Sequence, residues 1–247
     1  MITVFPFARV LLASLILRAS LGLAAAQADR PDAAVPEEAI VKPDLMKRRT
    51  AEYDYDPPAA GSYQLPVLQP AVDGTVLGTD FKPVRLHDLM RDRVVVLSFI
   101  YTRCTDPKAC MRATGALSEL QRMSRQFPDV AQRLLLVTLS FDPAHDTPGV
   151  MARYGRVSLG YGVGCEWLFL TARTREDLAP LLEAYGQRVD ARQKPSAFGP
   201  YYHPLRVYLI DPARQIRNIY SYGLLDPRLV MTDVQTVLLE TDASRRR

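Results

Sequence analysis

The sequence predicts an α/β domain with a central mixed β-sheet flanked by helices on both faces. Two continuous apolar runs, residues 94–101 and 134–141, are typical of strands buried on both faces. Strand-like and helix-like segments alternate along the chain, which favours a sheet covered by helices. Cys104 and Cys110 follow the first of these strands, at the predicted start of the next helix. The order of the elements and the position of the cysteines together predict a thioredoxin-like fold.

The elements in the first half of the domain follow from residue spacing. After the first strand, Asp106-Pro107 is typical of a helix start, with Asp106 as the N-cap and Pro107 at the first helical position. Large apolar residues then recur at helical spacing, at Leu117, Leu120, Met123 and Phe127. The second buried strand comes next. Two Xaa-Pro pairs mark a loop at 142–148, and the helix after it is expected to reach about Tyr154.

The second half of the domain is predicted to close the sheet with a hairpin and a final helix. The expected segments are a strand at 167–170, a helix at 175–185, a long loop at 186–204, strands at 205–210 and 215–220, and a helix at 229–239. Thr174 is placed to cap the helix that it precedes. Residues 211–214 join the last two strands as a turn, so this part of the sheet is antiparallel.

The composition of the 247-residue chain excludes several classes of protein. Hydrophobic residues make up 48%, which is enough for a packed core and excludes whole-chain disorder. Three cysteines are too few for a disulfide-stapled scaffold or a four-thiolate zinc module, and three histidines exclude a His-rich metal store. The net charge is +4, but three positive charges are the terminal arginines at 245–247. Since no basic stripe is interleaved with aromatic residues, we expect no nucleic-acid partner.

The first 28 residues are predicted to be an export signal. Arg9 supplies a positive n-region, apolar residues follow, and Ala26-Gln27-Ala28 fits a small-x-small cleavage site. Arg18 interrupts the apolar run, so a cleaved signal peptide is favoured over an uncleaved membrane anchor. We therefore expect an exported, periplasmic protein, which an uncleaved signal would tether to the membrane. In such a compartment cysteines can be oxidised.

Three further segments complete the predicted organisation of the chain. Residues 29–66 contain six prolines and many charges, and we expect them to form a flexible linker. The globular domain is expected at 67–241, which is the size of one domain. Residues 242–247 form a basic tail.

Cys104 and Cys110 form a C-x5-C pair at the predicted helix start. The N–H groups at a helix N-terminus favour anions, and basic residues lie close to both cysteines, at Arg103, Lys108 and Arg112. Both effects lower a thiol pKa and favour the thiolate, the form that attacks disulfides or binds metal. The spacing alone does not decide whether the two thiols meet, so two structural cysteines beside a core strand are an alternative.

His203 lies at the end of the long loop, just before a strand. A neutral imidazole there can complete a metal site with two thiolates, because thiolates suit Cu(I) and an added imidazole makes Cu(II) tolerable. A loop histidine without a ligand role is the alternative. Cys165 is predicted to be a partly buried free thiol, and no functional role is assigned to His87 or His145.

Four stretches of the sequence occur together in an order typical of one family. They are residues 95–104 (VVLSFIYTRC), 140–148 (SFDPAHDTP), 167–171 (WLFLT), and His203 followed by 207–212 (VYLIDP). The Asp-Pro-x-x-Asp-Thr-Pro pattern in the second stretch makes the match specific. On these motifs the chain resembles the Sco/SenC family of copper-binding, thioredoxin-like proteins.

The resemblance implies a site, a cargo and a partner. Cys104, Cys110 and His203 take the positions of the family's ligands for one copper ion, Cu(I) or Cu(II). The family assists assembly of the copper centre of cytochrome c oxidase, as copper donor, thiol reductant or both. The implied partner is the copper-bearing subunit of that oxidase or another periplasmic thiol protein.

The chain departs from the family pattern at the site itself. The family usually has C-x3-C with Pro after the second cysteine, and Asp often precedes the histidine; here the spacing is C-x5-C, with Met111 and Tyr202 at those positions. These departures favour a second hypothesis, a thiol–disulfide oxidoreductase that uses Cys104 and Cys110 without stored copper. A redox or copper sensor that binds a membrane partner is the third hypothesis.

Overall fold

The computed structural model describes residues 45–158, 164–194 and 196–246. The predicted signal peptide and the first part of the predicted linker lie outside these ranges. No helix within them is long and apolar enough to cross a membrane.

The centre of the fold is a mixed sheet with the strand order β1-β10-β9-β4-β5-β6. Its strands are β1 (Gln69–Pro70), β4 (Val94–Ile100), β5 (Leu134–Ser140), β6 (Glu166–Leu170), β9 (Val207–Ile210) and β10 (Gln215–Tyr220). The strands β4, β5 and β6 are parallel, whereas β9 runs antiparallel to both β4 and β10. Every residue of β4 and β5 is buried, as their unbroken apolar sequences predict.

The remaining strands form two small hairpins beside the sheet. They are β2 (Thr75–Leu77) with β3 (Pro83–Arg85), and β7 (Asp190–Ala191) with β8 (Tyr201–Tyr202). The helices are α1 (Leu86–Leu89), α2 (Cys110–Ser124), α3 (Pro128–Arg133), α4 (Pro148–Ser158), α5 (Arg175–Ala184) and α6 (Pro227–Arg245).

Helices cover both faces of the sheet. On one face, Tyr154 of α4 packs against Phe169 of β6, with 6.1 Å between ring centroids. On the other, Tyr185 at the end of α5 packs against Phe99 and Tyr208, at 5.6 and 5.3 Å. The two phenylalanines pair with adjacent residues of β5, whose side chains point to opposite faces. The predicted mixed α/β, thioredoxin-like fold is confirmed.

The elements that the sequence analysis missed are short. They are β1, both small hairpins, α1 and α3. A segment of two to six residues has too few side chains to show a period of 2 or 3.6, so contacts with the rest of the fold define it instead.

Residues 45–66, placed in the predicted linker, contact the domain at defined points. Tyr53 is buried, and its carbonyl accepts a hydrogen bond from the Arg228 guanidinium at 2.9 Å. The guanidinium of Arg112 lies over the Tyr53 ring, 5.1 Å from its centroid. The Gly61 N–H donates to Thr236 Oγ1 at 3.0 Å. The high proline and charge content did not predict these contacts, because they depend on a few individual side chains.

Candidate metal and thiol site

The site lies where β4 ends and β9 begins. Cys104 follows the carboxyl end of β4, and Cys110 is the first residue of α2. His203 is in the loop that leads into β9. Because β9 is antiparallel to β4, with Val207 opposite Ser98, the start of β9 lies beside the end of β4. This topology brings together residues about a hundred positions apart in sequence.

The three predicted site residues converge. The two sulfur atoms and a ring nitrogen of His203 all lie within 4.8 Å of one another. Cys110 Sγ is 3.3 Å from His203 Nε2. Exposure is 8% for Cys104, 1% for Cys110 and 8% for His203, so water has little access. A cavity of about 30 Å³ adjoins Cys104 and His203 and is large enough to hold one water molecule.

The loop between the cysteines folds back and shortens α2. The sequence predicted a helix start at Pro107 with Asp106 as N-cap, and this is wrong. The helix begins at Cys110, and Ala109 occupies the N-cap position without a side-chain cap. Asp106 instead accepts a hydrogen bond from the Lys108 N–H at 2.9 Å, and its carbonyl accepts one from the Ala109 N–H. This local turn competes with the helix and allows Cys104 to approach Cys110.

The pKa values of the two thiols are shifted in opposite directions. A hydrogen bond from Cys110 is the main reason that the pKa of Cys104 is lowered to about 4, and His203 lowers it further against the effect of burial. Burial and the neighbouring Cys104 sulfur raise the pKa of Cys110. One proton is therefore shared between the sulfurs, with the negative charge favoured on Cys104.

The imidazole of His203 is oriented by its surroundings. Its Nδ1 lies 3.2 Å from the Pro204 carbonyl oxygen. With the proton on Nδ1 donated to this carbonyl, the Nε2 lone pair is available to a metal, whereas a hydrogen bond from His203 to the Cys104 thiolate requires a proton on Nε2. The ring also packs edge-on against Phe141 and Tyr101, with centroids 4.9 and 5.7 Å away.

Gly199 allows the loop that carries His203 to lie close to the cysteine loop. Its φ of +94° is in a region that residues with a side chain rarely adopt. A Cβ at this position would lie 2.5 Å from the Tyr101 hydroxyl oxygen and 2.9 Å from the Arg103 carbonyl oxygen. The same Tyr101 hydroxyl donates to the Phe198 carbonyl at 2.7 Å, which fixes the loop to the end of β4.

Asp142 connects the two loops of the site, a role that the sequence analysis did not assign. The carboxylate is 2% exposed. It accepts a hydrogen bond from the Arg103 guanidinium at 2.6 Å and another from the Tyr201 hydroxyl at 3.1 Å. The signal was present in the sequence, because Asp142 is the first acid of the Asp-Pro-x-x-Asp-Thr-Pro pattern.

Asp146, the second acid of that pattern, holds the start of the cysteine loop. It is fully buried and accepts hydrogen bonds from the Thr102 N–H at 2.9 Å and the Ser140 hydroxyl at 2.5 Å. The two aspartates therefore act through their neighbours and position the cysteine and histidine loops.

The other cysteine and histidines lie away from this group. Cys165 is buried beside the last turn of α2, where its N–H donates to Ser124 Oγ at 2.8 Å. Burial raises its pKa to about 11. His145 is exposed, and the His87 ring contacts the Ala71 carbonyl at 2.8 Å. Within the described ranges, Cys104, Cys110 and His203 form the one group of metal-ligating side chains.

A family model described as SCO1/SenC matches residues 79–239 of the chain. No curated protein matches it.

Solved structures share the fold at low sequence identity. The copper-bound ScoI of Arabidopsis thaliana is 17% identical, with a TM-score of 0.59, over 69% of this chain and 98% of that one. A SCO1/SenC family lipoprotein from Bacillus anthracis is 22% identical, with a TM-score of 0.58, over 70% and 97%. BsSco, described with a disulfide switch and as a member of the Sco family of cytochrome c oxidase assembly proteins, is 20% identical, with a TM-score of 0.55, over 71% and 98%.

Proposed function

The chain belongs to the SCO1/SenC family, and from this premise we propose that it is an exported copper-binding protein that assists assembly of the copper centre of a cytochrome c oxidase. One observation carries the proposal: two cysteine sulfurs and a histidine nitrogen lie within 4.8 Å of one another in a nearly buried site. The partner in this proposal is the copper-bearing oxidase subunit.

The donor set fits copper as the cargo. Thiolates are soft ligands that select Cu(I), and an imidazole extends the site towards Cu(II). Cys104 and Cys110 supply the thiolates, and His203 supplies Nε2, which already faces Cys110. The C-x5-C spacing differs from the usual family loop, but the turn at Asp106 compensates for the added length.

Release of the cargo requires a ligand that can leave. His203 is on an irregular loop, whereas Cys110 is anchored in a helix. A donor group of a partner can therefore replace His203 first, and the two thiolates can follow by ligand exchange. We expect affinity to fall at low pH, because thiolates and imidazole must lose protons to bind metal.

Anaerobic titration of the reduced protein with Cu(I), against a competing chelator, tests the proposal. We expect one copper per chain, with affinity lost in Cys104→Ser and weakened in His203→Ala. His145→Ala is the matched control, because that histidine is exposed and outside the site. A wild type that binds no stoichiometric copper would rule the proposal out.

The export component has a separate test. N-terminal sequencing of the protein recovered from the periplasm is expected to begin at Asp29, directly after the predicted cleavage site. Recovery of an intact Met1 in the membrane fraction would favour the uncleaved anchor.

The proximity of the two sulfurs supports a second candidate, a thiol–disulfide oxidoreductase. In this reaction Cys104 attacks a partner disulfide and forms a mixed disulfide, and Cys110 then displaces the partner sulfur. The chain loses two electrons and two protons and gains one disulfide, while the partner gains two thiols. Reductase activity that survives His203→Ala would favour this candidate. Failure of Cys104 and Cys110 to pair under mild oxidation would exclude it.

A further inference from the structure

The surface around the site carries an excess of positive charge. The cysteine loop, residues 102–112, has three basic residues and one acid, and the histidine loop, residues 186–204, has the same balance. Each loop is therefore formally +2, counting only the residues within it.

Three of these cations are not neutralised by the protein. Arg103, Arg112 and Arg188 pair with Asp142, Glu52 and Asp190. By contrast, Lys108, Arg192 and Lys194 have no carboxylate partner in the described part of the chain. Both lysines are exposed. Arg192 lines the small cavity beside Cys104. One acid, Asp106, lines it as well, and its carboxylate accepts the hydrogen bond from the Lys108 N–H.

Exposed aromatic side chains lie beside these cations. Phe198 is 45% exposed and Tyr202 is 60% exposed, and both line the cavity at the site. Arg192 lies over the Tyr202 ring at 5.7 Å, which leaves the ring and the cation on one surface. Arginine and aromatic side chains are enriched at protein–protein interfaces.

We propose that this cationic rim docks an acidic surface of a protein partner. This inference rests on the proposed function and names the chemistry of the partner that site would serve. A protein is favoured over a lipid surface because Phe198, Tyr202 and Arg192, which line the cavity at the site, are of the side-chain types enriched at protein–protein interfaces. Charge complementarity would steer the partner and set its orientation.

The test uses the full-length, reduced, metal-free protein and a short fluorescent peptide of Glu and Asp residues. Fluorescence anisotropy reports binding, and NMR shifts map it. The variant Lys108→Glu/Lys194→Glu reverses one cation without a carboxylate partner on each loop, and is called the rim variant. Arg153→Glu/Arg156→Glu is the matched control, with the same change in net charge on exposed side chains that lie outside the two loops.

We expect the peptide to shift residues of both loops. At low salt, the rim variant should weaken binding by about tenfold, and the control by less than about threefold. Raising the salt from about 0.02 M to about 0.2 M should weaken wild-type binding, since the Debye length shortens. Tyr202→Ser, which keeps the charge, should weaken binding by a smaller factor.

Several outcomes would overturn the inference. Equal loss in the rim variant and the control would show attraction to net charge alone. If the acidic peptide does not bind at low salt, the two loops are not a docking surface for an acidic partner. Sedimentation with phosphatidylglycerol vesicles that is lost in the rim variant would assign the rim to a membrane. Because the assay contains no copper, a failed copper titration with intact peptide binding would defeat only the proposed function.

Discussion

A buried thiol lies at each end of α2, and the two thiols differ in what surrounds them. Cys110, the first residue of α2, is 1% exposed and lies 3.3 Å from His203 Nε2. Cys165, beside the last turn, is 2% exposed and is held through its backbone by Ser124 and Gln121. The length of the helix, about 20 Å, separates the two ends.

Burial is therefore not what distinguishes a functional thiol in this protein. It raises the pKa of both Cys110 and Cys165. Among the described residues, a second cysteine and a histidine lie beside the buried thiol only at the first end of the helix, where the pKa of Cys104 is lowered. Neighbouring donor atoms, rather than exclusion of water, therefore make the site.

The largest effect expected is on copper binding. Cys110→Ser should weaken Cu(I) affinity by a factor of about 100 or more, because a thiolate ligand is replaced by a poor one for Cu(I). Cys165→Ser should leave Cu(I) affinity unchanged within about threefold. This variant should lose about 1–2 kcal/mol of stability, because it buries a hydroxyl group. Competition titration measures the first effect, and thermal unfolding measures the second. An equal loss of copper affinity in both variants would show that the two thiols do not differ in function.

The next largest effect is expected on thiol reactivity, which should differ between the two ends of α2. The pKa of Cys104 is lowered to about 4, so this thiol is already ionised at pH 6. Its rate of alkylation by iodoacetamide should be nearly flat between about pH 5.5 and 8, whereas an ordinary thiol rises about tenfold per unit in this range. Cys165, with a pKa raised to about 11, should react only after unfolding. Mass spectrometry of the modified peptides assigns each rate, and guanidinium-unfolded protein should show all three cysteines with ordinary pH dependence.

The sequence predicted the strands and helices of the core because they are long enough to show their periods. It also placed Cys104 and Cys110 correctly after β4. It could not show that their side chains meet, since that depends on the turn at Asp106, which the sequence misassigned as a helix cap. The approach of His203 depends on the antiparallel pairing of β9 with β4, and no local pattern encodes such a long-range contact.

A substitution of one glycine should affect only the site end of the molecule. Gly199→Ala adds a Cβ within 2.5 Å of the Tyr101 hydroxyl oxygen, at a φ of +94°. We expect the His203 loop to shift and Cu(I) affinity to fall about tenfold, with a loss of stability of about 1–3 kcal/mol. Gly115→Ala, within α2, is the control, because nothing lies within 4 Å of its added Cβ. That change should leave copper affinity intact and stabilise the helix by about 0.5–1 kcal/mol. Unchanged copper affinity in Gly199→Ala would show that the loop position is not needed.

The smallest effect should come from a residue that touches no ligand. Asp142→Asn removes the charge that Arg103 pairs with, but its amide oxygen can still accept from the Tyr201 hydroxyl. Copper affinity should fall only a few-fold, since the two loops keep part of their connection. Asp226→Asn is the matched control, because Asp226 is also buried and paired with an arginine, Arg228 at 2.8 Å, but lies outside the site. Both variants should lose stability, by about 1–3 kcal/mol. Only the first should change copper affinity, and an equal change in the second would mean that affinity follows general stability rather than the positioning of the two loops.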